Sequence, residues 1–217
     1  MNNVATQTDH RILFETILVL GLMVIPVILW PQTKTLTALV ALGYLLLERH
    51  FRKRSWAEIG FKFRTFQQDL MDNGFLVLLV GVLIQVLIIG AAKFFWPDFL
   101  LHVQSRVTDV IGAQILVMFG VLIFSTLIEE LIYRVLFQER FSWYFNPYFV
   151  VVVVSVLFAL MHWSDGPLAI VLVDVGLIVI SSSIYGLIFM RGRNILVAWL
   201  AHWLADVVGL IGLLWLI

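Results

Sequence analysis

The segment Ser125–Phe137, STLIEELIYRVLF, sets Glu129, Glu130 and Arg134 inside a stretch that is otherwise almost entirely apolar. A charged side chain at the centre of a bilayer costs about 2.5–3.5 kcal/mol on insertion scales. Such groups must therefore be paired or face a water-filled cavity, and they are functional candidates by default. We predict that this segment is a membrane helix that carries part of a functional site.

The composition of the whole chain supports a membrane protein. Of its 217 residues, 62% are hydrophobic and 13% are charged, and the mean hydropathy is +1.02. Soluble domains carry about 25% charged residues. The formal net charge is zero, which gives no indication of a nucleic-acid partner. The absence of cysteine excludes disulfides, thiolate nucleophiles and cysteine-based metal sites.

The apolar runs predict an all-α fold, a polytopic membrane helix bundle with about seven transmembrane helices and a single integral membrane domain over residues 1–217. A spanning helix needs roughly 20 apolar residues. The first run is predicted to be a retained helix, and the sixth, which holds Asp174 and Ser181–Ser183, to be a candidate for a break. The predicted spans are 12–30, 35–48, 74–96, 113–138, 147–163, 168–190 and 195–217.

One hydrophilic segment, Glu48–Asn73, holds six of the fourteen Lys and Arg residues. The favoured interpretation is a cytoplasmic loop, and an amphipathic stretch on an anionic bilayer surface is the alternative. The positive-inside rule then predicts an N-terminus inside and a C-terminus outside. The lack of cysteine and of long loops favours a bacterial cytoplasmic membrane. His10, His50 and His102 are predicted to lie in flanks or loops.

Helical spacing assigns different parts to the two adjacent glutamates. Glu130 and Arg134 are four residues apart, so they share one helix face and can form an ion pair. Glu129 is rotated by about 100° from Glu130. We predict that Arg134 holds Glu130 and that Glu129 points into a cavity, where it suits a general base.

Two further pairs with the same spacing lie on later spans. FALMH places His162 four residues after Phe158, and HWLAD places Asp206 four residues after His202. Each motif is weak by itself, because a histidine in a membrane helix is often only a hydrogen-bond partner. The three motifs in this order favour a shared site. Counted from the inner ends of the spans, however, the depths of Glu129, His162 and His202 differ by roughly 12 Å.

The order E-E-x-x-x-R, F-x-x-x-H and H-x-x-x-N/D resembles the CPBP family of intramembrane proteases. This family groups the type II CAAX prenyl endopeptidases with bacterial bacteriocin-processing and immunity proteins, also called Abi proteins. The resemblance assigns residues 113–209 to the catalytic core. It implies that Glu129 and His162 activate a water molecule, and that Glu130 and Arg134 support them.

The resemblance also implies that His202 is the second catalytic histidine and that Asp206 occupies the last motif position. Many members of the family have Asn there, and an amide donates a hydrogen bond to an oxyanion, whereas an ionised carboxylate only accepts. We therefore predict that Asp206 holds His202 as imidazolium and that His202 donates. A zinc ion bound by His162, His202 and Glu129 is the other reading, although no H-E-x-x-H motif is present.

The functional prediction is an endopeptidase that hydrolyses a peptide or protein substrate near the cytoplasmic membrane face, with a site that opens toward that face. The alternative is a non-catalytic relative that acts as a bacteriocin-immunity or regulatory protein. A proton-relay transporter is a third reading, disfavoured because no internal repeat is apparent. Asp174 either lines the same cavity or caps a broken helix, and the structural role is favoured.

Overall fold

The computed structural model describes residues 10–111 and 115–216, with side chains described over 10–106 and 117–214. This part of the chain forms eight helices, two short 3₁₀ segments (Pro31–Thr33 and Phe63–Thr65) and no β-strand. Six are α1 (His10–Leu29), α2 (Lys34–Phe51), α4 (Pro97–Ile111), α6 (Pro147–Leu160), α7 (Leu168–Gly192) and α8 (Ile195–Leu216). The other two, α3 and α5, contain π-helical segments. Helix α3 joins Phe66–Leu78, the π segment Leu79–Leu83 and Ile84–Phe95, and α5 joins Ile115–Glu130, the π segment Leu131–Gln138 and Glu139–Phe141.

Four helical stretches of the described chain are long and apolar enough to cross a membrane. They are α1, Phe63–Phe95, α7 and Ile195–Leu214, and α6 is a shorter apolar helix. Large apolar side chains face outward along the bundle, such as Phe94 and Phe95, which are 79% and 86% exposed. Such surfaces suit lipid rather than water. The chain is an integral membrane protein with an all-α fold, and the number of seven spans stays a prediction.

The predicted break in the sixth span is wrong, because α7 is one unbroken helix of 25 residues. A serine hydroxyl inside a helix can be satisfied by a carbonyl of the preceding turn, so the serine run does not require a break. The hydroxyl of Ser183 donates to the carbonyl of Val179 at 2.7 Å. An N-terminal cap inside a broken helix is therefore excluded as the role of Asp174, which lies seven residues inside α7.

Two connecting segments are more helical than predicted. Helix α2 continues to Phe51 and α3 begins at Phe66, so only the middle of Glu48–Asn73 is a turn. In this turn Glu58 accepts hydrogen bonds from the Ser55 backbone N–H at 2.6 Å and its hydroxyl at 2.7 Å, which hold the pKa of Glu58 below its ordinary value. Residues Pro97–Ile111, predicted as a loop with His102, form helix α4.

A dense ionic cluster gathers the ends of α1, α2, α5 and α7 at one end of the bundle, here called the basic end. The fully buried Arg140 lies 2.9 Å from Glu48, whose other carboxylate oxygen lies 3.3 Å from Arg52. Glu139 pairs with Arg193 and, at 3.2 Å, with Arg54. The opposite end, here called the far end, holds the α1–α2 turn and the α6–α7 connection.

Helix α7 packs closely on its neighbours at Gly186. A Cβ atom added there would lie 2.8 Å from Gln138 Oε1 and 3.0 Å from Val151 Cγ1. We expect Gly186→Ala to lower the free energy of unfolding by about 1–3 kcal/mol, because overpacking forces a shift in well-packed neighbours. Thermal or denaturant unfolding in one detergent measures this loss.

The same helix offers a matched control at Gly176, where an added Cβ would meet nothing within 4 Å. Gly176→Ala is expected to be neutral or stabilising by up to about 1 kcal/mol, because Ala is the better helix former. Equal losses of stability in the two variants would contradict the close packing at Gly186.

Candidate active site

Three helical elements bring the predicted site residues together. Glu129 lies near the end of the α-helical part of α5, immediately before its π segment, and π segments are frequent at functional sites. His162 lies two residues after α6, and His202 lies in the first half of α8. The difference in depth estimated from the sequence does not keep these three residues apart.

Glu129 lies between the two imidazoles. Its Oε1 is 3.8 Å from His162 Nε2, and its Oε2 is 3.8 Å from His202 Nε2. These separations exceed direct hydrogen-bond distance, which is about 2.7–3.2 Å. Polar groups at such a separation suit a bridging water molecule. The side chain of Glu129 is 27% exposed, so it is accessible from the cavity that it lines.

The partners of the inner ring nitrogens fix the orientation of both histidines. His162 Nδ1 lies 2.8 Å from the carbonyl oxygen of Phe158, and a carbonyl only accepts, so Nδ1–H donates. His162 Nε2 is then free to accept a hydrogen bond on the side of Glu129. In the same way, His202 Nδ1 donates to Glu130 Oε1 at 3.0 Å, and its Nε2 faces Glu129.

Glu130 is held from two sides, and both its own side chain and that of Arg134 are fully buried. Arg134 Nε donates to Glu130 Oε2 at 3.0 Å, which agrees with the predicted ion pair. Arg134 Nη2 also donates to Ser182 Oγ at 2.8 Å, and Nη1 reaches Gln138 Oε1 at 3.4 Å. The pair therefore connects α5 to α7, while His202 connects it to α8.

The contact between Glu130 and His202 was not predicted from the sequence. The contacts of Arg134 with Ser182 and Gln138 were not predicted either. The spacing rule detects only partners on one helix, and Glu130 and His202 are 72 residues apart. Gln138 lies four residues after Arg134, so the same rule could have found it. Ser182 belongs to the serine run that was read only as a possible break.

Aromatic rings fix the position of both imidazoles. Phe158 lies 4.5 Å from the ring of His162 and 5.6 Å from that of His202. Tyr185 stacks on His202 with ring centroids 4.7 Å apart and an interplanar angle of 18°. The spacing of Phe158 and His162 within FALMH thus has a packing reason, because the ring and the imidazole are direct neighbours.

Asp206 lies near His202, as the spacing of HWLAD predicted. Its Oδ2 is 3.8 Å from His202 Nε2, and its side chain is 37% exposed. The Nε2 atom of His202 therefore faces two carboxylates, those of Asp206 and Glu129, while Nδ1 faces that of Glu130. Nearby negative charges stabilise the positively charged form of an imidazole.

Glu129, His162, His202 and Asp206 line a cavity of about 930 Å³ that is mainly apolar. Its wall includes Pro31 and Lys34 at the α1–α2 turn and Ser164 in the α6–α7 connection, which belong to the far end. Within the described chain, no lining residue comes from Glu48–Asn73. If that segment faces the cytoplasm, the cavity reaches the outer face, so the expectation of an inward opening does not agree with the predicted orientation.

Asp174 lines the same cavity, at a second polar cluster. Arg106 Nη1 of α4 lies 3.1 Å from Asp174 Oδ2, and His102 Nε2 lies 3.8 Å from the same oxygen. Ser164 Oγ lies 3.2 Å from His102 Nε2. These contacts tie α4 to α7 and to the α6–α7 connection beside the cavity, so His102 does not lie in an isolated loop.

The site contains donor atoms of the kinds that bind metal ions. Two histidines and a carboxylate are chemically suitable for Zn²⁺. Over residues 10–106 and 117–214, however, no group of three His, Asp or Glu side chains lies close enough to hold a metal ion. The zinc ion predicted at His162, His202 and Glu129 stays a prediction.

Residues 111–208 match the model of the family described as Type II CAAX prenyl endopeptidase Rce1-like. The resemblance to the CAAX proteases is therefore confirmed, and the match covers Glu129, His162, His202 and Asp206. No match was found among the curated proteins or among the solved structures. The matched residues are less than half of the chain, and the family they match is one of endopeptidases, which act on peptides or proteins.

Proposed function

We propose, from the match of residues 111–208 to the type II CAAX prenyl endopeptidase family, that this chain is an intramembrane endopeptidase. The observation that carries the proposal is the position of Glu129, whose two oxygens each lie 3.8 Å from a histidine Nε2 atom. The substrate is a peptide or protein segment that enters the cavity from the membrane.

The first step is the activation of water by Glu129 and His162. A water molecule between them donates one proton to a carboxylate oxygen of Glu129 and a hydrogen bond to Nε2 of His162. The Phe158 carbonyl keeps Nδ1 of His162 protonated, so its Nε2 remains an acceptor. As the proton moves to Glu129, the water oxygen attacks the peptide carbonyl carbon, and a tetrahedral oxyanion forms.

The oxyanion is stabilised by His202. In our proposal the ring is an imidazolium, because Glu129, Glu130 and Asp206 all lie within 3.8 Å of its nitrogens. Its Nε2–H then donates to the developing negative charge, as donors in an oxyanion hole do. Asp206 supports this donor and does not itself donate. When the C–N bond breaks, Glu129 returns its proton to the leaving amine.

The basic end is proposed to face the cytoplasm of a bacterial cell, with the N-terminus inside, because it holds most of the clustered Lys and Arg residues. The cavity then reaches the outer face, and cleavage occurs on that side. The chain has no cysteine, so single cysteines report topology without background. In intact cells, an impermeant maleimide is expected to label Ser164→Cys and not Ser55→Cys, and the reverse pattern would contradict this orientation.

Hydrolysis in H₂¹⁸O tests the proposed activity directly. Purified protein in liposomes is incubated with a library of membrane-derived peptides, and new C-termini are identified by mass spectrometry. Each cut by the attacking water leaves one ¹⁸O atom in the new carboxylate. We expect labelled termini with the wild-type protein and their loss with Glu129→Gln. Equal yields with the two proteins would favour a non-catalytic immunity or regulatory role.

The same assay tests the alternative of a zinc enzyme. We expect the yield of labelled termini to stay unchanged after dialysis against a chelator, because Glu129 and His162 activate the water directly in the proposed mechanism. Loss of activity on dialysis, followed by recovery on addition of Zn²⁺, would contradict that mechanism and support a metal bound by His162, His202 and Glu129.

A further inference from the structure

We propose that Asp174 and Arg106 form a substrate subsite in the cavity, which binds the carboxamide of an Asn or Gln side chain about five residues from the scissile peptide bond. The inference rests on the proposed function, because it names what the peptidase recognises. Both residues lie outside the three motifs, and Arg106 also lies outside the matched residues 111–208. The contacts between α4 and α7 at the cavity wall lead to them.

The buried carboxylate of Asp174 lacks a hydrogen-bond donor. Its side chain is 6% exposed and lines the cavity. Arg106 Nη1 and His102 Nε2 lie 3.1 and 3.8 Å from its Oδ2 atom, but no group of the described chain donates a hydrogen bond to this oxygen. Buried polar groups of native proteins nearly always have a partner. An acceptor of this kind at a cavity wall is a place for a donor group of the ligand.

The neighbours of Asp174 hold the cluster in place and leave donors for a ligand. The side chain of His102 is 7% exposed, and Ser164 Oγ lies 3.2 Å from its Nε2 atom. A Cβ atom added at Gly166 would lie 2.9 Å from His102 Nδ1, so the α6–α7 connection packs directly on this ring. Arg106 remains 26% exposed, and a guanidinium has five N–H donors, more than one carboxylate occupies.

The charge of the cluster selects a neutral ligand. Asp174 and Arg106 form an ion pair with no net charge. An ammonium or a carboxylate group of the substrate would add an uncompensated charge to a cavity that is mainly apolar, and such a charge is costly to bury. A carboxamide is neutral and carries both N–H donors and a carbonyl acceptor.

The arrangement of the two partners favours a side-chain amide over the main chain. The NH₂ group and the carbonyl oxygen of a carboxamide lie side by side, as do the carboxylate of Asp174 and the guanidinium of Arg106. The NH₂ group can therefore donate to Asp174 while the oxygen accepts from Arg106. In a trans peptide group the N–H and the C=O point in opposite directions, so one main-chain amide does not reach both partners.

One face of α7 gives the distance from this subsite to the catalytic residues. Asp174, Leu177, Ile178 and Tyr185 all line the same cavity, and Tyr185 stacks on His202 with ring centroids 4.7 Å apart. Tyr185 follows Asp174 by eleven residues, which is about 16 Å along a helix. An extended peptide covers this distance in about five residues. The apolar wall between the two ends suits apolar side chains of the substrate.

A movable glutamine tests the subsite. Membrane-spanning peptides of Leu and Ala carry a single Gln, which is placed at successive positions in a series of otherwise equal peptides. With wild-type protein, we expect the cut to move with the Gln at a constant separation of about five residues. With Glu129→Gln protein, which should bind without cutting, the Gln peptide should have a Kd about 10- to 100-fold lower than peptides with Met, Glu or Lys at that position, from two added hydrogen bonds.

Substitutions in the cluster should change the preferred side chain. Asp174→Asn leaves Arg106 without its carboxylate, so the Glu peptide should then bind more tightly than the Gln peptide. Arg106→Met leaves the carboxylate of Asp174, so the Lys peptide should be preferred, and this variant keeps the test decisive if Asp174→Asn does not fold. The matched control is Asp98→Asn, since Asp98 is an exposed residue in the first turn of α4 that does not line the cavity.

The outcomes separate the subsite from the proposed function. Equal Kd values for the Gln and Met peptides, or a cut that stays in place when the Gln moves, would overturn the inference. A preference for Glu or Lys with the cluster intact would overturn it as well. If Asp174→Asn and Arg106→Met lowered stability but kept the preference for Gln, the pair would be purely structural. A preference for Gln in binding, without any cut by wild-type protein, would contradict the proposed function and support the subsite.

Discussion

Replacement of Glu129 by Gln is expected to reduce peptide hydrolysis by about 10²–10⁴-fold, the usual contribution of a general base. The amide keeps the shape of the side chain but cannot accept a proton from water. Both neighbouring imidazoles lie 3.8 Å from the carboxylate, so the substitution breaks no direct hydrogen bond to either ring. The yield of ¹⁸O-labelled termini under single-turnover conditions measures the loss.

The fold should survive this substitution, because Glu129 is 27% exposed to the cavity and its burial cost disappears with its charge. We expect the thermal unfolding midpoint to be equal to or higher than that of the wild type. Glu58→Gln is the matched control, since Glu58 is an exposed residue of the α2–α3 turn and does not line the cavity. If Glu129→Gln hydrolysed peptides at a rate within threefold of the rates of the wild type and of Glu58→Gln, Glu129 would be excluded as the base.

Helical spacing predicted the part of the site that lies within single helices. Glu130 and Arg134 are paired, and Asp206 lies beside His202, because residues four apart share a helix face. The cost of charge in a membrane indicated a shared site before any distance was known. Apolar runs likewise predicted the all-α fold, since periodic or continuous apolar residues are the main signal of a membrane helix.

The contacts between helices could not be predicted from spacing. The bond from His202 to Glu130 and the bond from Arg134 to Ser182 depend on how α5, α7 and α8 are staggered. Counting residues from the inner ends of the spans placed Glu129, His162 and His202 at different depths. That estimate was misleading, because it assumed that every helix starts at the same level. Helix α4 was missed because its polar residues, including His102 and Arg106, resembled a loop. They are instead the residues that bind it to Asp174.

Removal of Arg134 should cause the largest loss of stability in the chain. Arg134 and Glu130 are both fully buried, and Arg134→Met leaves the Glu130 carboxylate with His202 as its remaining side-chain donor. Breaking a buried ion pair by removing one partner costs roughly 3–5 kcal/mol, since an uncompensated charge remains inside the protein. The free energy of unfolding in a fixed detergent, measured with denaturant, should fall by this amount. The rate of hydrolysis should fall with it, because Glu130 orients His202.

The double variant Glu130→Gln/Arg134→Met separates the buried charge from the lost packing. It removes both charges at once, so its loss of stability should be smaller than the sum of the losses in Glu130→Gln and Arg134→Met, as expected for groups in contact.

Arg106→Met is the comparison, because Arg106 is 26% exposed and its pair with Asp174 lies at the cavity wall. Exposed pairs contribute about 0–1 kcal/mol, and this partly exposed pair should lie near the upper end. If Arg134→Met cost no more than Arg106→Met, the buried pair would not be what holds α5 against α7 and α8, and the orientation of His202 would need another origin.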